Sequence, residues 1–125
     1  MRVLIADDDR VLTTLLTAAM IRRRWIVQTA HDAMQAFMYA NRNPTPDAIL
    51  LDINMPAGTG IHTLQRLRTS TRTAAIPVIV VTASVDPGVE QQARALGVVA
   101  FLRKPIEPAV VCDLVSDAVL LAGVE

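Results

Sequence analysis

Five short apolar runs in this chain alternate with stretches in which apolar residues recur at helical spacing. Short uncharged runs are typical of strands buried on both faces of a sheet. The runs are Val3–Ala6, Trp25–Ala30, Ala48–Leu51 with Asp52 at its end, Pro77–Thr82 and Val98–Leu102. A helical pattern follows each run, so the sequence predicts an α/β protein: a parallel sheet with helices on both faces and right-handed crossovers.

The predicted helices begin and end at residues that suit those positions. Asp9 and Asp32 can cap the first two helices, Gly97 can stop the fourth, and Pro108 fits the first turn of the last. The helices are expected over residues 10–24, 33–39, 61–67, 89–96 and 108–122.

Length and composition narrow the class of protein. The 125 residues fit one domain over residues 1–125. A hydrophobic content of 52% with zero formal net charge favours a compact soluble protein and argues against a general nucleic-acid binder. Cys112 is the single cysteine, which excludes an internal disulfide. The first apolar run is too short for a signal peptide or a membrane span, so a cytoplasmic location is expected.

Polar side chains stand where four of the five predicted strands stop. The carboxyl ends of parallel strands share one edge of a sheet, where open α/β sheets bind their ligands. The second strand ends in Thr29-Ala30-His31 and is not expected to contribute, and both histidines, His31 and His62, are interpreted as lying outside the site. The residues expected to meet at this edge are Asp7, Asp8, Asp52, Thr82 and Lys104.

This set of side chains predicts phosphoryl chemistry. Three converging carboxylates repel one another unless a cation neutralises them, and oxygen ligands with room for water suit Mg²⁺. Lys104 is the only lysine beside eleven arginines, and its compact charge suits a small phosphoryl group. A carboxylate, a metal ion, a lysine and the Thr82 hydroxyl together can accept such a group.

These motifs resemble those of the receiver domain of two-component response regulators, over essentially the whole chain. The resemblance implies a flavodoxin-like fold with strand order 2-1-3-4-5, and a regulatory phosphoprotein rather than an enzyme that turns over substrate. The motifs are Asp7-Asp8, Leu51-Asp52-Ile53-Asn54-Met55-Pro56 with Gly60, Val81-Thr82-Ala83 and Lys104-Pro105.

The resemblance also implies how the acidic residues are used. Asp52 would be the phospho-acceptor, with self-catalysed uptake and slow autodephosphorylation. Asp8, Asp52 and the backbone carbonyl of Asn54 would bind Mg²⁺ directly, whereas Asp7 would act mainly through water.

Four further residues match positions that serve the phosphorylated state of the family. Lys104 would hold the phosphoryl group, and Thr82 would turn its hydroxyl toward it. Ala83 would leave an open approach, and Phe101 occupies the aromatic switch position. Taken singly, Thr82 is better interpreted as an ordinary strand residue, and Phe101 is equally well a core aromatic.

Partners follow from the same resemblance. A histidine kinase or a histidine phosphotransfer protein would donate the phosphoryl group, and a downstream effector domain or protein would read the face of the fourth helix, fifth strand and fifth helix. A phosphorylation-dependent dimer is possible, and neither a membrane nor nucleic acid is expected to bind directly. The last helix is apolar over more than one face, which fits a partner surface or a hydrophobic core helix. Its apolar residues include Val110, Val111, Leu114, Val115, Val119 and Leu121.

The sequence departs from the family pattern at several positions. Arg24-Trp25 stands where a glycine-aromatic turn is common, and Gly58-Thr59 replaces a more usual Met-Asp type pair. The residues Val98-Val99-Ala100 lack acidic side chains, which argues against the charged dimer face of the winged-helix subfamily. The run of arginines at 22–24 is interpreted as a solvated helix end or as a docking edge for an acidic partner.

Two other functions remain open on the sequence alone. Asp7-Asp8-Asp9 contains the Asp-x-Asp of haloacid-dehalogenase-like phosphatases, although Glu107 alone does not supply the acidic pair that this class needs after the lysine. A receiver that binds partners without being phosphorylated is the other alternative.

Overall fold

The structure, a computed structural model, describes residues 1–55, 60–84 and 86–123. The strands are β1 (Arg2–Ala6), β2 (Ile26–Ala30), β3 (Ala48–Leu51), β4 (Val78–Thr82) and β5 (Ala100–Arg103). The helices are α1 (Arg10–Arg22), α2 (Ala33–Ala40), α3 (Gly60–Thr69), α4 (Pro87–Ala95) and α5 (Pro108–Ala122). None of these helices is long and apolar enough to cross a membrane.

The strands form one parallel sheet in the order β2-β1-β3-β4-β5. This confirms the predicted fold class and the strand order that the resemblance implied. In the register of the sheet, Ala6 of β1 lies opposite Ala30 on one side and Leu51 on the other. The residues that come next, Asp7, His31 and Asp52, therefore leave the same edge of the sheet side by side.

Helices cover both faces of the sheet, and alternate strand residues pack under each layer. In β3, Ile49 and Leu51 join the cluster beneath α2, α3 and α4, whereas Ala48 and Leu50 join the cluster beneath α1 and α5. All residues of β3 and β4 are buried for this reason. Burial on both faces holds β3 in one register and so fixes the place where Asp52 emerges.

The predicted caps of the first two helices are confirmed. The side chain of Asp9 accepts hydrogen bonds from the backbone N–H groups of Val11 and Leu12. The side chain of Asp32 accepts one from the N–H of Gln35 at 2.7 Å. These bonds satisfy N–H groups that have no partner within the helix. Asp9 is therefore a capping residue of α1.

The start of α4 differs from the prediction. The side chain of Asp86 accepts a hydrogen bond from the N–H of Gly88 at 2.8 Å. Pro87 then occupies the first turn, where its missing N–H costs nothing. The helix consequently begins at Pro87, two residues before the predicted start at 89.

The start of β5 also differs from the prediction. Gly97 follows α4 with a φ of 76°, in the left-handed region that glycine adopts freely, and so ends the helix as predicted. After this turn the N–H of Val99 bonds to the carbonyl of Val78 at 2.8 Å, and regular pairing begins only at Ala100. The predicted strand at 98–102 is therefore shifted to Ala100–Arg103.

The turn between α1 and β2 holds Arg24 with a φ of 64°. The left-handed conformation costs an L-residue roughly 1–2 kcal/mol, whereas glycine adopts it without strain. The N–H of Arg24 bonds to the carbonyl of Ile21 at 2.8 Å, and that of Trp25 bonds to the carbonyl of Met20 at 3.1 Å. These bonds fix the turn although its residue is not glycine.

We expect Arg24→Gly to raise the free energy of unfolding by about 0.5–1 kcal/mol, because relief of the left-handed conformation exceeds the added freedom of glycine in the unfolded chain. Urea denaturation measures this change. The control Arg22→Gly removes another exposed arginine but places glycine in the last turn of α1, and it should lower the free energy of unfolding. An Arg24→Gly protein no more stable than wild type would contradict the strain argument.

Candidate functional site

Three aspartates meet at the carboxyl edge of the sheet, as the sequence predicts. Asp7 and Asp8 follow β1, and Asp52 follows the neighbouring strand β3, where its N–H bonds to the carbonyl of Ala6 at 2.8 Å. One carboxylate oxygen from each aspartate lies within 4.8 Å of the others. Asp7 and Asp52 are buried, with 3% and 4% of their surface exposed, whereas Asp8 is exposed. The cluster therefore has two buried members and one open to solvent.

Lys104 joins this cluster from the far side of the sheet. It follows β5, and its N–H bonds to the carbonyl of Thr82 at 2.9 Å. Its Nζ lies 2.9 Å from Asp7 Oδ2 and 3.1 Å from Asp52 Oδ2. A single ammonium group thus bridges the two buried carboxylates.

The second oxygen of each buried carboxylate is held by its own loop. Asp7 Oδ1 accepts a hydrogen bond from the N–H of Asp9, and Asp52 Oδ1 accepts one from the N–H of Asn54, both at 2.9 Å. Each of these hydrogen bonds closes an Asx-turn, in which an aspartate side chain accepts from the N–H two residues later. The turn holds the carboxylate in one orientation. Both carboxylates are therefore fixed before any ligand arrives.

The cluster carries an excess of negative charge. Three carboxylates face one ammonium, which leaves two negative charges without a partner in the cluster. Burial raises the pKa of Asp7, and the nearby charge of Asp52 adds to this effect although Lys104 and the N–H of Asp9 oppose it. Burial acts to lower the pKa of Lys104, but its hydrogen bonds to Asp7 and Asp52 outweigh burial and raise it. Both pKa values can rise together, because two carboxylates stabilise the Lys104 ammonium whereas burial acts against the Asp7 carboxylate.

Thr82 closes the site on the β4 side and is fully buried. Its Oγ1 accepts hydrogen bonds from Asn54 Nδ2 at 3.3 Å and from the N–H of Ser84 at 3.2 Å. A hydroxyl that accepts twice still has its own hydrogen to donate. The neighbouring Ala83 is exposed.

Phe101 and the loop after Asp52 complete the predicted set. Phe101 is 9% exposed and packs in the cluster beneath α2, α3 and α4. Gly60 is required by close packing, because a Cβ atom there would clash with the Cα atom of Ile53. The predicted motif residue Pro56 and the pair Gly58-Thr59 lie outside the described residues.

His31 was interpreted as lying outside the site, but the structure places it next to the main chain of the site. It directly follows β2, and its Nδ1 lies 3.1 Å from the backbone carbonyl oxygen of Asp7. The implied strand order, which places β2 beside β1, was the signal that could have found this contact. His62 lies on α3 with an exposed side chain.

The bridging position of Lys104 leads to a stability prediction. We expect Lys104→Met to lower the free energy of unfolding by about 1–3 kcal/mol in the absence of divalent cations, because two buried carboxylates lose their shared cation. This expected loss is smaller than the loss from breaking a fully buried ion pair, because the Lys104 side chain is 18% exposed. In an Asp7→Asn background the same substitution should cost less, because only one buried charge is left unpaired.

Urea denaturation in EDTA measures the free energy of unfolding of wild type, Lys104→Met, Asp7→Asn and the double variant. Arg103→Met is the matched control, because it removes the neighbouring cation, whose ion pair with Glu90 is exposed, and should change stability little. Equal losses for Lys104→Met in both backgrounds would show that Lys104 does not bridge the carboxylates.

Comparison with known proteins identifies the family of this chain. A model of the family described as response regulator receiver domain matches residues 3–116. Response regulator PleD of Caulobacter vibrioides (strain NA1000 / CB15N) is 36% identical over 106 residues, which are 85% of this chain and 23% of that protein. Transcriptional regulatory protein CpxR of Klebsiella pneumoniae subsp. pneumoniae (strain HS11286) is 38% identical over 104 residues, which are 83% of this chain and 43% of that protein. The chain spans less than half the length of both relatives.

A solved structure shows the same fold. It is the receiver domain of the sensor histidine kinase PA1611 from Pseudomonas aeruginosa PAO1, which has a magnesium ion coordinated in its active site cleft. The two structures align with a TM-score of 0.83 at 24% identity, over 94% of this chain and 96% of the other. The family model matches residues 3–116, and the sheet has the strand order 2-1-3-4-5 that the resemblance implied. The chain therefore belongs to the response regulator receiver domain family of two-component systems.

Proposed function

We propose that this receiver, over residues 1–125, is a phosphorylation-controlled switch that accepts a phosphoryl group on Asp52 in a Mg²⁺-dependent reaction. One observation carries the proposal: the buried Asp52 carboxylate lies beside two more carboxylates and within 3.1 Å of the Lys104 ammonium. A buried nucleophile with charge-stabilising groups on both sides is what phosphoryl transfer requires of a protein.

The phosphoryl donor is a phosphohistidine of a histidine kinase or of a histidine phosphotransfer protein. A carboxylate oxygen of Asp52 forms a bond to phosphorus while the P–N bond breaks, and the histidine nitrogen leaves with that electron pair. The product is an acyl phosphate on Asp52. Attack by water later returns the carboxylate and releases inorganic phosphate.

The acidic cluster fits one divalent cation. Its two uncompensated negative charges and its set of oxygen ligands suit Mg²⁺, and exposed Asp8 leaves room for water ligands. Asp8, Asp52 and the backbone carbonyl of Asn54 would hold the ion, and Asp7 would act through water. Bound Mg²⁺ would neutralise charge on the phosphoryl oxygens.

Lys104 and Thr82 serve the phosphorylated state. Lys104 is already held against Asp52 Oδ2, so it can move a short distance to a phosphoryl oxygen. Thr82 has a hydroxyl hydrogen to donate once the acyl phosphate offers an acceptor. Exposed Ala83 leaves the approach between them open.

The donor protein has an apolar surface to dock on beside the site. On α1, Val11 and Leu15 are 71% and 53% exposed, and with Ile106 they line a groove of about 460 Å³ that reaches Lys104. A helix that carries the phosphohistidine among apolar residues suits this groove, because burial of exposed apolar surface stabilises the complex.

The output is read on the face of α4, β5 and α5. Val110 is 54% exposed, and at the other end of α5 Leu120 and Leu121 are 69% and 70% exposed. Phe101 lies on β5 opposite Val80, two residues before Thr82 on β4, so that its ring can follow the movement of Thr82. An effector domain or protein would cover this surface, and a phosphorylation-dependent dimer is its other use.

Incubation with acetyl phosphate and MgCl₂, followed by intact-mass measurement, tests the proposal. We expect wild type to gain one phosphoryl group and Asp52→Asn to gain none, because the amide is not a nucleophile. Asp117→Asn is the matched control, because it changes an exposed aspartate of α5 and should be labelled like wild type. EDTA should abolish labelling of wild type.

Two other outcomes would contradict the proposal. If wild type gains no mass while it binds Mg²⁺, the receiver binds partners without being phosphorylated. Continuous release of phosphate that requires Asp7 but not Asp52 would indicate a phosphatase instead.

A further inference from the structure

His31 contacts the main chain of the acidic cluster from β2. Its Nδ1 lies 3.1 Å from the carbonyl oxygen of Asp7. Because a carbonyl oxygen only accepts hydrogen bonds, this contact requires that Nδ1 carry the hydrogen. His31 therefore donates to the peptide group that joins Asp7 to Asp8.

The position of His31 is itself fixed on both sides. The N–H of His31 bonds to Gln35 Oε1 at 2.9 Å, and the N–H of Gln35 bonds to Asp32 Oδ1 at 2.7 Å. On the strand side, the N–H of Asp7 bonds to the carbonyl of Ala30 at 2.9 Å. The ring of His31 is thus attached to a rigid corner between β2 and the start of α2.

The peptide group that His31 contacts lies between two members of the cluster. Asp7 is buried and is fixed by Lys104 and by the N–H of Asp9. Asp8 is exposed, and the direction of its Cα from Asp7 depends on how this peptide plane is turned. A donor that holds the Asp7 carbonyl therefore limits rotation of the plane and sets where the Asp8 carboxylate lies.

We infer that His31 is a positioning residue for the divalent-cation site, acting through the Asp7–Asp8 peptide group to place the Asp8 carboxylate. The inference rests on the proposed function, because the position of Asp8 matters only if the cluster binds a cation. Partners that orient metal ligands in this way contribute to affinity without touching the metal.

Asparagine and leucine at position 31 separate the hydrogen bond from the shape of the side chain. They have nearly the same size, but asparagine carries an N–H donor as many bonds from the backbone as Nδ1 of histidine. We expect His31→Leu to bind Mg²⁺ about 3- to 10-fold more weakly than wild type, which corresponds to the loss of one hydrogen bond. His31→Asn should bind within about 2-fold of wild type.

The full chain is titrated with MgCl₂ at one pH and without a phosphodonor. The NMR chemical shift of the Asp8 amide reports Mg²⁺ binding. Urea denaturation of each variant in EDTA checks that the fold is retained. Phosphorylation by acetyl phosphate gives a second readout. The His31→Leu protein should need more Mg²⁺ for its half-maximal rate, yet reach the rate of wild type at saturating Mg²⁺.

The outcomes distinguish this inference from the proposed function. If wild type binds Mg²⁺ and His31→Leu binds equally well, His31 does not position Asp8, and the proposed function stands. If His31→Leu and His31→Asn are weakened to the same extent, the hydrogen bond is not the cause and the inference is wrong. If wild type itself binds no Mg²⁺, both the inference and the proposed function are wrong.

Discussion

The site depends on one ammonium group shared by two buried carboxylates. Without Lys104, Asp7 and Asp52 would face each other in a place that water barely reaches, where like charges repel strongly. With it, the strands β1, β3 and β5 are tied together at their carboxyl ends by two short contacts. The arrangement still leaves excess negative charge, so the protein is stable while it keeps an attraction for a cation. The negative charge that Lys104 leaves unpaired would also attract the cation that we propose for this site.

The fold explains why residues from most of the chain meet at one edge. Parallel strands place all their carboxyl ends together, and helices on both faces bury the strands so completely that polar groups can emerge only where a strand stops. The helix caps have the same origin, since Asp9, Asp32 and Asp86 each stand just after that edge. The acidic character of this side of the molecule is therefore partly structural, and the cluster at Asp7, Asp8 and Asp52 adds to it.

Much of this could be predicted from the sequence, and the failures have physical causes. Uncharged runs that end on polar residues identified Asp7, Asp52, Thr82 and Lys104. Strands buried on both faces exclude charged residues, so the first polar residue after each run marks the end of the strand. The bridge made by Lys104 was not predicted, since it depends on side-chain distances that periodicity does not contain. The contact of His31 with the Asp7 carbonyl was not predicted, because the end of each strand was considered without the neighbour that the strand has in the sheet. The shifted start of β5 reflects the turn at Gly97, which is a matter of local backbone geometry.

The hydrogen bonds of Thr82 would affect how easily the proposed switch operates. Both are long for their type, at 3.2 and 3.3 Å, and in both the hydroxyl is the acceptor. Turning the hydroxyl toward a new acceptor therefore gives up little interaction energy, and the movement needs no strong bond to be broken first. Phe101 is buried in the hydrophobic cluster beneath α2, α3 and α4. If the proposed switch operates through Thr82 and Phe101, substitutions in the core around Phe101 would alter signalling without touching the acidic cluster.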